Sequence, residues 1–116
     1  MMPQPEIKQA LDLFHKACMA EENGEMFLAE VFYLKSIFAF EEAGGDHIIE
    51  TANALNALAF LRKARGNHKG AIFSAKKSLQ ITKKFETQYS NPDVELIRMG
   101  AWELIDQLNE CEDSIH

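Results

Sequence analysis

Residues that break helices or build covalent scaffolds are scarce in this chain. Six glycines and three prolines among 116 residues exclude a fibrous or low-complexity protein. Two cysteines, Cys18 and Cys111, lie far apart in the sequence; a disulfide between them is possible but unneeded, and a reducing compartment would keep both as thiols. No apolar run approaches the roughly 20 residues needed to cross a bilayer, the longest being of the order of residues 37–40 and 57–61. The opening Met1-Met2-Pro3-Gln4-Pro5-Glu6 lacks the basic flank and apolar stretch of a signal peptide, so a cytoplasmic location is expected. No period-two alternation sustains a strand.

Acidic residues are absent from one long stretch. Between Thr51 and Phe85 there is no Asp or Glu, while Arg62, Lys63, Arg65, Lys69, Lys76, Lys77, Lys83 and Lys84 give that segment a charge of +8. The flanks carry the remaining four cations and all 18 acids, a net −14, so the overall −6 hides an acid–base–acid arrangement. The net charge argues against nucleic acid as a partner, and no aromatic-interleaved basic motif supports RNA. The basic segment instead suits an acidic protein surface, or the acidic flanks of this chain or of a second copy.

What is present is 47% hydrophobic residues, enough for one self-sufficient core, set at helical spacing. Ile7, Ala10, Leu11, Phe14, Ala17 and Cys18 make one stripe, predicting a helix over 6–22 that Asn23-Gly24 terminates. A second helix over 25–43 is apolar on most sides, with Met26, Phe27, Val31, Phe32, Leu34, Ile37, Phe38 and Phe40, and is expected to be buried on more than one side. Gly44-Gly45 stops it, Asp46 is a candidate N-cap for a third helix, and Arg65-Gly66-Asn67 ends that one. Asn67 caps a fourth helix reaching about residue 85, and Asn91-Pro92-Asp93 opens a fifth that extends to about residue 110.

The chain also repeats itself at an offset of 42 residues. Ala10 falls on Ala52, Leu13 on Leu55, Ala17 on Ala59, Gly24 on Gly66 and Ala29 on Ala71, and one further step reaches Val94, Ile97 and Ala101. Small residues at such sites let paired helices approach closely. Residues 6–43 and 46–86 thus read as two repeats and 92–110 as a closing helix, one all-α domain built as an antiparallel helix-pair solenoid.

Leu55, Leu58-Ala59, Gly66 and Ala71, with Leu13, Ala17, Gly24, Ala29 and Tyr33 in the first repeat, resemble the tetratricopeptide repeat. The spacing of 42 exceeds the usual repeat of about 34 residues, and Ala54-Leu55-Asn56-Ala57-Leu58-Ala59 looks like the longer kinesin-light-chain variety. Lys16 stands where the family prefers Leu, Ala75 replaces an aromatic, and neither second helix ends in proline. The resemblance covers about residues 6–110 and implies a non-catalytic module that binds a protein or peptide in a concave groove lined by the first helix of each pair. On that phase Phe14, Asn53, Asn56, Phe60, Lys63, Arg98 and Trp102 are the candidate contacts. Asn53 and Asn56 are the sharpest, because an amide both donates to and accepts from an extended backbone. The plainer alternative for each Asn is a solvated face or a bond to a neighbouring helix. The lysines and arginines that clamp a terminal carboxylate in some members are missing.

Other chemistry finds little support. His15, Cys18 and Glu22 share a helix face but lack the second ligand cluster of a zinc site, and no phosphate loop or nucleophile elbow occurs, so no metal, cofactor or catalytic function is expected. A different class of function, self-association as a homodimer, is suggested by the phenylalanines of the second helix and the absence of a helix packed before the first.

Overall fold

A computed structural model of the chain describes residues 5–43, 47–86 and 92–115. It contains five helices: α1 (Pro5–Glu22), α2 (Met26–Ala43), α3 (Ile48–Ala64), α4 (His68–Glu86) and α5 (Pro92–Ile115). Among the described residues there is no strand, and no helix is long and apolar enough to cross a membrane. The fifth helix runs five residues beyond its expected end. The third begins at Ile48 after His47, whose side chain makes no capping bond; the proposed cap Asp46 lies outside the described residues, as does Asn91.

The helix ends follow from local chemistry. At the end of α1 the amide of Glu25 donates to the Ala20 carbonyl (2.8 Å) and that of Gly24 to Glu21 (3.0 Å). The end of α3 has the same two bonds, from Asn67 to Arg62 (2.8 Å) and from Gly66 to Lys63 (3.0 Å). Both closures need a left-handed residue, and Gly24 and Gly66 supply it at φ 78° and 84°. Asn67 then caps α4, its Oδ1 accepting from the Gly70 amide at 3.0 Å.

Burial repeats at the 42-residue offset. Ala10 and Ala52, then Ala17, Ala59 and Ala101, then Ala29 and Ala71 are all sealed from solvent. The molecule measures 55 × 37 × 20 Å. Its most extensive contacts join α1 to α2 and α3 to α4, with α2 also packed on α3, and α5 on both α3 and α4. The third helix is therefore the hub. Its Ala54, Leu55, Leu58 and Leu61 enter one apolar cluster with Tyr33, Ile37 and Phe40 of α2, while Ala59 enters a second with Ala71, Ala75, Leu104, Ile105 and Leu108.

One expectation about packing changes. The second helix is buried on one side, through Ala29, Tyr33, Ser36, Ile37 and Phe40, and not on several. Its other side leaves Phe27, Leu34 and Phe38 at 71%, 45% and 64% exposure, because α1 and α3 together cover only the opposite face.

Candidate functional site

The candidate contacts fall into two groups once the helices are in place. Three polar ones are engaged within the chain. The Asn56 amide, buried, donates from Nδ2 to the Ile97 carbonyl at 2.7 Å and ties α3 to α5; its Oδ1 is also buried and has no donor among the described residues. The Lys63 ammonium donates to Gln107 Oε1, a second tie between the same helices. Arg98 donates from Nη1 to the Leu79 carbonyl and to Thr82 Oγ1, both at 2.9 Å, and joins α5 to α4. A helical carbonyl has a second lone pair, which is how Ile97 and Leu79 can accept these side chains.

The remaining candidates keep solvent contact. Asn53 and Phe60 are exposed on α3, and Trp102 is 53% exposed on α5. Phe60 and Trp102 occupy equivalent positions 42 residues apart, and the Phe60 ring and the Asn56 amide lie over Gly100 of α5: a Cβ added there would meet both at 3.6–4.0 Å. Phe14, half-buried on α1, packs edge-on against Tyr33 with ring centres 5.6 Å apart. The Phe60 ring and the Asn53 amide are thus exposed on α3 beside a layer of cross-helix hydrogen bonds, while Trp102 is exposed on α5 away from the Gly100 face that meets α3. Phe14 is the one candidate that lies in the first hairpin, against Tyr33.

Two arrangements carried no signal in the sequence reading. Arg62 of α3 donates to Glu30 Oε2 of α2 (3.4 Å), and to the Gly70 carbonyl (3.3 Å) and Ser74 Oγ (2.9 Å) of α4. Glu30 also pairs with Arg65, whose guanidinium lies 5.8 Å from the centre of the Phe27 ring, and Lys77 pairs with Glu41 at 3.7 Å. Part of the basic segment is therefore matched by α2 carboxylates inside the molecule. The second arrangement is a buried phenol: Tyr33 donates to Glu21 Oε1 at 2.8 Å and lies 3.6 Å from Cys18 Sγ. Burial, then the bonds to Cys18 and Glu21, push its pKa well above the ordinary phenol value, so it acts as a neutral donor. A cleft of about 380 Å³ opens beside Cys18, Glu21, Glu22 and Tyr33. His15 is exposed, and among the described residues no three His, Cys, Asp or Glu side chains converge as metal ligands.

Comparison with known proteins finds no family model, no curated protein and no solved structure that matches the chain.

Proposed function

We propose that this chain is a non-catalytic protein–protein interaction module of the tetratricopeptide type, working in the cytoplasm, with α1–α2 and α3–α4 as two stacked helix pairs and α5 as the closing helix. Its partner is a peptide or protein segment laid across α3 and α5. The observation that carries the reading is the pair Phe60 and Trp102, half-exposed at equivalent positions of neighbouring helices. Exposed aromatic anchors on a rigid support are the residues that dominate binding energy at interfaces. The support here is the bond layer from Asn56, Lys63 and Arg98, which removes the cost of ordering the helices on binding. Asn53 supplies the amide on the Phe60 face of α3, and Lys63 gives the surface its preference for an acidic segment.

The test uses the single tryptophan, Trp102, as its own reporter. Peptides enriched from a displayed random library against the full chain are titrated while its emission is followed. Binding that shifts the emission and weakens about tenfold or more in Phe60→Ala supports the reading. Enriched peptides that bind Phe60→Ala by emission, and Trp102→Ala by calorimetry, as tightly as the native chain reject it.

A second reading, self-association, is favoured by the outer face of α2, where Phe27, Leu34 and Phe38 lie open to solvent without a covering helix among the described residues.

A further inference from the structure

The outer face of α2 has a definite pattern. Phe27, Val31, Leu34 and Phe38 follow one another at intervals of four, three and four residues, the spacing of a helix-pairing seam. Three of the four are well exposed and Val31 is partly so. This is not a general property of the second helix of each hairpin. At the 42-residue offset the equivalent positions on α4 are Lys69, Phe73, Lys76 and Gln80, a cationic and polar row with one aromatic. The same place in the fold is thus satisfied by charged residues on α4, so the apolar row on α2 answers to something other than folding.

The face is complementary to a second copy of itself. Turned antiparallel about an axis through the middle of the helix, Phe27 comes opposite the partner's Phe38 and Val31 opposite the partner's Leu34. The same turn carries the Phe27 end of each helix to the mouth of a cleft of about 540 Å³ between α1 and α2, walled by Leu13, Leu34, Phe38, Ala39 and Glu42. Phe27 is the most exposed large apolar side chain described, and the Arg65 guanidinium sits over its ring. One molecule therefore carries both an aromatic knob and a largely apolar hole, whose edge bears Gln9, Lys35 and the Glu42 carboxylate, the self-complementary shape that an isologous two-fold contact requires.

Resting on the self-association reading above, we propose that two copies of this chain pair through antiparallel α2 helices, the Phe27 ring of each entering the α1–α2 cleft of the other with Arg65 beside Glu42. Each contact occurs twice, so a single substitution acts twice.

Sedimentation velocity of the full chain over a wide concentration range tests this, with circular dichroism as the check on folding. The native chain is expected to show a concentration-dependent dimer. Leu34→Asp and Phe38→Asp, both on solvent-exposed positions, are expected to be folded monomers. Phe73→Asp, the change at an equally open aromatic of α4, is expected to leave the dimer unchanged. Glu42→Lys, which faces the partner's Arg65, should weaken it by roughly tenfold, as two repelling pairs replace two attracting ones. A dimer that survives both Leu34→Asp and Phe38→Asp, or that Phe73→Asp dissolves instead, overturns the α2 pairing while leaving self-association standing. A native chain that stays monomeric at every concentration overturns both.

Discussion

The two hairpins share their turns, their alanine contacts and their 42-residue register, yet they are held together by different means. In α1–α2 the large buried groups are Tyr33, Ile37 and Phe40. At the matching positions α4 has Ala75, Leu79 and Thr82, and the second hairpin closes its gaps with hydrogen bonds. Ser78 donates to the Ala52 carbonyl across the helix pair (3.2 Å) and Arg62 to α2 and α4 together, while Thr82 turns back to the Ser78 carbonyl of its own helix (2.9 Å). Ser36, the counterpart of Ser78, is equally buried but turns back to its own helix at the Tyr33 carbonyl (2.9 Å). Close-packed aromatic volume, with the Tyr33–Glu21 bond, holds the first pair chiefly by shape, whereas directed bonds carry more of the second. The hairpin that carries the candidate peptide surface is the one fixed by directed bonds.

The largest difference between the hairpins is expected at Met19 and Leu61, which occupy the same register position one repeat apart. Met19 is 63% exposed and Leu61 fully buried. Leu61→Ala should cost about 3 kcal/mol, and Met19→Ala no more than about 0.5 kcal/mol, read as the shift in urea midpoint at unchanged slope. Comparable losses at the two sites would mean that α1 is covered by something besides α2.

Next in size is Arg62, whose counterpart in the first hairpin is the buried Ala20. Arg62→Met keeps much of the apolar stem but removes the bonds to Glu30, Gly70 and Ser74, and should cost about 2 kcal/mol. A neutral result would remove the distinction drawn between a bonded and a packed hairpin.

The turns should show no difference. Gly24→Ala and Gly66→Ala meet no neighbouring atom within 4 Å, so the cost of each is the left-handed backbone, about 1–2 kcal/mol and equal within error. Unequal losses in the same denaturation series would show that the turns are not interchangeable.

The smallest effect is a pH dependence confined to the first hairpin. The folded pKa of Tyr33 lies above its unfolded value, so its stabilising share is complete below the unfolded pKa of about 10 and declines as pH rises beyond it. Tyr33→Phe should lower stability at neutral pH through the lost bond to Glu21 and flatten the fall that begins above about pH 10. An unchanged alkaline profile would assign that fall to other groups.

The number of the helices, most of their limits, the two glycine turns and the Asn67 cap were legible in the residues, because each depends on groups within a few positions of one another; the end of α5, five residues beyond its expected place, was not. The alanine contact sites were legible too, since an internal repeat reports the same packing twice. The buried face of α2 was not. Apolar residues surround that helix, so its pattern contains no direction, and only the positions of α1 and α3 select Tyr33, Ile37 and Phe40 for the core and leave Phe27, Leu34 and Phe38 outside. Nor were the roles of Asn56 and Arg98. An amide or guanidinium on a helix face looks the same whether it waits for a partner or already holds one, and the carbonyl that Asn56 holds belongs to Ile97, 41 residues away. Local chemistry wrote the helices and their ends; long-range packing chose which apolar face met solvent and which polar groups were already spent.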